Sequence, residues 1–117
     1  MRKYIKVHLE IEGLHHWANC DIAEVNYLAT PHRHIFHINA VKEVTHNDRD
    51  IEFIKLKHEM QLAIENEFYD KDKRMCDFGN SSCEDIAEML IRNYELKSCE
   101  VLEDGENGAI VVAEPLL

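Results

Sequence analysis

The sequence has 117 residues, 45% hydrophobic and 31% charged, with 4 Gly and 2 Pro, which fits one globular domain over residues 1–117 and excludes a disordered, collagenous or low-complexity chain. Asp and Glu number 23 against 13 Lys and Arg, a formal charge of -10 that argues against duplex nucleic acid as a partner. No apolar run reaches the roughly 20 residues of a membrane span, and Met1–His8 is basic without the apolar stretch of a signal peptide, so a cytoplasmic location and no membrane partner are expected.

Between Tyr4 and Leu14, Ile5, Val7, Leu9 and Ile11 alternate with Lys6, His8, Glu10 and Glu12, the pattern of a strand with one wet face. His15 to Pro31 has no clean period and reads as a long connection with a short helix around Asp21 to Leu28. His34 to Thr45 alternates again, Phe36, Ile38 and Ala40 on one face and Ile35, His37, Asn39 and Val41 on the other, and is the second strand. Asn47 to Asp50 is turn chemistry, after which Phe53, Leu56, Met60, Ala63 and Ile64 recur at helical spacing to about Phe68.

A polar segment, Asp70 to Asn80, precedes a second helix that starts at Ser81 or Ser82, with Glu84 or Asp85 at capping-box spacing and Ile86, Leu90 and Tyr94 as its apolar stripe. Cys99–Glu103, a turn at Asp104–Gly108 and Ala109–Ala113 form a terminal hairpin. The expected fold is α+β in the order ββααββ, a four-stranded antiparallel sheet with two helices packed on one face. Such a sheet leaves a face and edges to be covered, so a homo-oligomer is expected.

Cys20, Cys76, Cys83 and Cys99 form no C-x-x-C pair, the usage of reduced thiols in a cytosolic protein. Histidine is the unusual count: of 8, six lie between His15 and His46. His32 and His34, at i and i+2 of a strand, project from the same face and can grip one metal. His15 or His16 would add a third imidazole, the ligand count of a zinc site with an open fourth position. The competing reading is of surface histidines partnered by solvent.

Two resemblances follow from particular segments. His15, His32-Arg33-His34, Asp50–Lys57, Asn80–Ala87 and Val101-Leu102-Glu103, in this order, resemble the tunnelling fold of the 6-pyruvoyl- and 6-carboxytetrahydropterin synthases. That resemblance implies a zinc-dependent enzyme in which His15, His32 and His34 are metal ligands and Glu103 holds the edge of a heterocycle. The chain as a whole also resembles the phage anti-Thoeris proteins, through Pro31–Ile38, Asp48–Ile54, Ser82–Ala87 and Glu103–Gly108.

The second resemblance implies non-catalytic capture of a cyclic ADP-ribose-type nucleotide, with no catalytic residue and no required cofactor beyond an optional zinc. Phe68 to Asn80 lacks histidine and Cys20 lies 12 residues before His32, as expected of a protein that binds without turnover. Sequestration is therefore the first expectation and a pterin-synthase-like enzyme the alternative. For a nucleotide, Phe78 is a candidate to stack on the base or else a plug of the core, and the loop through Asn80 leads to backbone N–H groups at Ser82, Cys83 and beyond that suit an anion. Arg33, Arg49, Lys55 and Arg92 are phosphate candidates or plain surface charges. Glu103 and Asn107 suit a purine edge or are ordinary turn residues, Trp17 is a ligand platform or core, and Cys83 gains reactivity if the helix start lowers its pKa.

Overall fold

The computed structural model describes residues 1–114. Strand β1 (Lys3–His15) and strand β2 (His32–Val44) pair antiparallel without a bulge, from Lys3 opposite Val44 to His15 opposite His32. A 3-10 helix, Ala23–Ala29, lies in the connection between them. Helix α1 (Phe53–Phe68) follows, with the Glu52 carboxylate accepting from the amides of Ile54 and Lys55 at its start. Short strands β3 (Tyr69–Asp70) and β4 (Met75–Asp77) lead into helix α2 (Cys83–Tyr94), and β5 (Ser98–Glu103) and β6 (Asn107–Val112) close the chain as a hairpin.

The α+β class is as expected, but the four-stranded ββααββ arrangement is not. Among the described residues the sheet has 6 strands in the order β3-β4-β1-β2-β5-β6, and the helices number three with the 3-10 turn. The added strands come from the segment read as polar connection. They are only 2 and 3 residues long, and β4 pairs parallel to β1 through Gly13–Cys76 and Leu14–Asp77. That pairing is made by tertiary structure and leaves no local period to read.

Alternation decides what the sheet buries. Val7, Leu9 and Ile11 from β1, Phe36, Ile38 and Ala40 from β2, and Cys99 and Val101 from β5 share one face. Leu56, Met60 and Ile64 of α1 and Ile86, Ala87 and Leu90 of α2 pack onto it. Each fully buried Leu, Ile or Phe contributes roughly 1.5–3 kcal/mol. Helix α2 is fixed at its start by a reciprocal capping box between Ser82 and Asp85. At its end Glu95 takes a left-handed conformation, φ 53°, that turns the chain toward β5. No helix among the described residues is long and apolar enough to cross a membrane.

Candidate functional site

At the end of the sheet nearest the start of α2 the inner face changes from apolar to histidine. His15 is the last residue of β1, directly opposite His32 at the start of β2, and His34 is two residues on from His32. One ring nitrogen from each of the three lies within 4.8 Å of the others. Phe36 closes the floor, its ring edge-to-face with His15 at 5.1 Å and with His34 at 5.8 Å.

Each imidazole is oriented by a separate acceptor. His15 Nδ1 donates to the Ser81 carbonyl at 3.0 Å, His32 Nδ1 to the Thr30 carbonyl at 2.8 Å, and His34 Nδ1 to Asp104 Oδ2 at 2.7 Å. Because these partners only accept, Nδ1 is the donor nitrogen of each ring, and in the neutral ring it is Nε2 that carries the lone pair. The His34 bond, helped by the Ile35 amide, holds the Asp104 carboxyl below its ordinary range. Burial holds His15 below its ordinary 6.5, against the opposing pull of the Ser81 carbonyl and Glu103, so its ring is neutral near pH 7.

The lone pairs meet a further acceptor. Glu103, at the end of β5, places Oε2 at 2.9 Å from His15 Nε2 and Oε1 at 3.4 Å from His34 Nε2. Neither contact is a hydrogen bond, and Nε2 of His15 and of His34 are the buried side-chain polar atoms without a hydrogen-bond partner among the described residues. Buried lone pairs turned toward a carboxylate lack a positive partner. A divalent cation would supply it, and three imidazoles are a donor set suited to zinc. His15, His32 and His34 therefore fit the metal that the sequence suggests.

Beside the imidazoles is a cavity of about 420 Å³, lined by His15, His16, Trp17, Leu28 and His32, by Asn80–Glu84, and by Glu103, Asn107 and Gly108. Of the expected ligand residues, Asn80, Ser82, Cys83, Glu103 and Asn107 are brought together here. Asn80 holds the wall by accepting from the Ala18 amide at 2.9 Å. Cys83 faces Glu103, Sγ to Oε2 3.7 Å, and burial pushes its thiol up to about 12. The helix start does not activate it as a nucleophile, because desolvation and the neighbouring carboxylate outweigh the dipole. Trp17 lines the cavity and stays half exposed.

Two expected residues are elsewhere. Arg33 follows strand alternation to the opposite face of the sheet, where it pairs with Glu12 at 2.6 Å. Phe78 is only 4% exposed, between Phe36 and Phe68 at ring separations of 5.2 and 4.9 Å, so it plugs the core and offers no stacking surface. The other phosphate candidates are engaged by neighbouring carboxylates, Arg49 by Asp48, Lys55 by Glu59 and Arg92 by Glu88, and none lines the cavity. Conversely, Asp104, Thr30 and Ser81 orient the imidazoles, a role that the sequence does not announce. Thr30 and Ser81 act through backbone carbonyls, which side-chain identity does not reveal, whereas Asp104 sits beside Glu103 at a strand end. Neither a protein-family model nor a curated protein matches this sequence.

Proposed function

We propose that this protein is a zinc-dependent enzyme acting on a small polar heterocycle, of the kind the tunnelling-fold pterin synthases represent. One observation carries the reading: three histidines anchored through Nδ1 turn their Nε2 lone pairs to one point on the wall of a cavity. Zinc bound by three imidazoles keeps an open position and supplies Lewis-acid activation of water or of a substrate oxygen.

The chain's own residues do the rest. Glu103 accepts hydrogen bonds from ring N–H groups of the heterocycle, with Cys83 donating to it from behind. Asn107 and Asn80 offer mixed donor and acceptor groups, and Trp17 with Leu28 covers the apolar faces. The cavity wall carries the carboxylates Glu84 and Glu103 and no Lys or Arg, which suits a neutral ring better than a pyrophosphate.

Non-catalytic capture of a cyclic ADP-ribose-type signal is the second reading. The protonated Cys83 favours it, since the cavity offers no thiolate for proton transfer. In either case copies are inferred to associate, because Ile110 and Val112 lie exposed on the outer edge strand β6.

Untagged protein is tested by metal analysis and by mass spectrometry after incubation with reduced pterins or with cyclic ADP-ribose isomers. Zinc that is lost in His34→Gln and bound roughly 10–100-fold more weakly in Asp104→Asn, with a pterin converted to product, supports the enzyme. A nucleotide bound tightly and released unchanged supports capture. Zinc affinity indifferent to His34→Gln overturns the metal centre.

A further inference from the structure

The opposite face of the same two strands carries a second donor cluster. His8 and Glu10 project outward from β1 and His37 outward from β2, with Glu10 directly opposite His37 in the register. One donor atom from each lies within 4.8 Å of the others. Glu10 Oε2 is 3.8 Å from His8 Nε2, and Glu10 Oε1 is 3.7 Å from His37 Nε2.

Their hydrogen bonds fix which atoms are free to ligate. Asn39 donates through Nδ2 to Glu100 Oε1 at 3.1 Å, which turns its Oδ1 toward His8. The 2.9 Å bond between His8 and Asn39 Oδ1 therefore has His8 Nδ1 as donor, leaving the His8 Nε2 lone pair toward Glu10. The β5–β6 turn passes close to the His37 ring, where a Cβ on Gly105 would lie 3.6 Å from His37 Nε2. The separations of 3.7 and 3.8 Å exceed a hydrogen bond. They are close to the spacing of about 3.4 Å between donors around a four-coordinate ion with bonds of about 2.0–2.1 Å.

We propose that His8, Glu10 and His37 form a second divalent-cation site, on the outer face of the β1–β2 pair and independent of the histidine centre on the inner face. Two imidazoles and a carboxylate are donors for zinc and for its spectroscopic substitute cobalt. The site is open to solvent, with His8 46% and Glu10 58% exposed at the side chain, so it binds reversibly and more weakly than the buried centre. An ion there ties β1 to β2 from outside and raises the resistance of that pair to opening.

The test is a cobalt chloride titration of the full, untagged chain, followed by visible absorption and calorimetry. The expected result is two classes of site, of which His34→Gln removes the tighter and His8→Gln or His37→Gln removes the weaker. Glu10→Gln should weaken the second class at least about tenfold, in line with the loss of a charged ligand. All three outer substitutions lie outside the core, and circular dichroism reports that they fold. A single class abolished by His34→Gln, or a second class that survives both His8→Gln and His37→Gln, overturns the proposal.

Discussion

Replacing Gly13 with Ala should destabilise the fold and disturb the metal centre through one ring. A Cβ at position 13 would lie 2.7 Å from Cε2 and 3.0 Å from Cδ2 of Phe78, and 3.3 Å from Cε2 of Phe36. Phe78 has little freedom to retreat, because Phe36 and Phe68 hold it on either side. Overpacking of this kind costs about 1–3 kcal/mol. Alanine returns about 0.5–1 kcal/mol through a less flexible unfolded chain. At the middle of these ranges the net loss is about 1.3 kcal/mol, which at about 2.1 cal/mol/K per residue over 117 residues lowers Tm by about 5 °C.

The same displacement reaches His15. Phe78 donates to the Leu14 carbonyl and accepts from the Ser81 amide, and the Ser81 carbonyl orients His15. Gly13→Ala should therefore also weaken zinc binding, and adding Phe78→Leu should recover part of both losses. Calorimetric melting with and without zinc reads the two effects together. A Gly13→Ala protein that melts at or above the parent temperature refutes the packing argument.

Acidification should destabilise the metal-free protein through His15. Its folded pKa lies below the ordinary 6.5, so below that pH the unfolded chain takes up a proton that the folded one refuses. Stability falls as pH drops through this window and levels off once the folded ring also charges. Urea titrations at several pH values, parent against His15→Asn, isolate the contribution, and equal slopes for the two proteins would count against it. Thiol chemistry should separate the cysteines: Cys20 is half-buried, whereas burial pushes Cys76 to about 11 and Cys83 and Cys99 to about 12. A disulfide reagent should modify Cys20 first in the native protein, and rapid reaction at a second position would contradict that burial.

Period and capping made much of the architecture legible. Val7, Leu9 and Ile11 on β1 and Phe36, Ile38 and Ala40 on β2 announce their buried face by parity, and Ser82 with Asp85 announces the start of α2. The i, i+2 spacing of His32 and His34 put both on one side of a strand, while the same rule placed Arg33 on the other side, away from any ligand they share. Phe78 could be assigned only from tertiary structure, since the space for its ring is made by Gly13, a residue 65 positions earlier. Likewise the His8, Glu10 and His37 cluster depends on the pairing of Glu10 with His37, which neither strand shows by itself.

The unbroken register of β1 with β2 also dictates how this protein can change. Thirteen consecutive pairs join the strands, and odd positions of β1 face inward with even positions of β2. Deleting one residue inside either strand would turn every following side chain to the opposite surface, carrying inner imidazoles outward and outer carboxylates into the core. Single-residue insertions and deletions are thus barred from the strands. They are tolerable in the connection 16–31, which contains the 3-10 helix and contributes His16, Trp17 and Leu28 to the cavity wall. Variation in ligand choice can therefore arise by altering the length of that connection while the histidine lattice beneath it stays in phase.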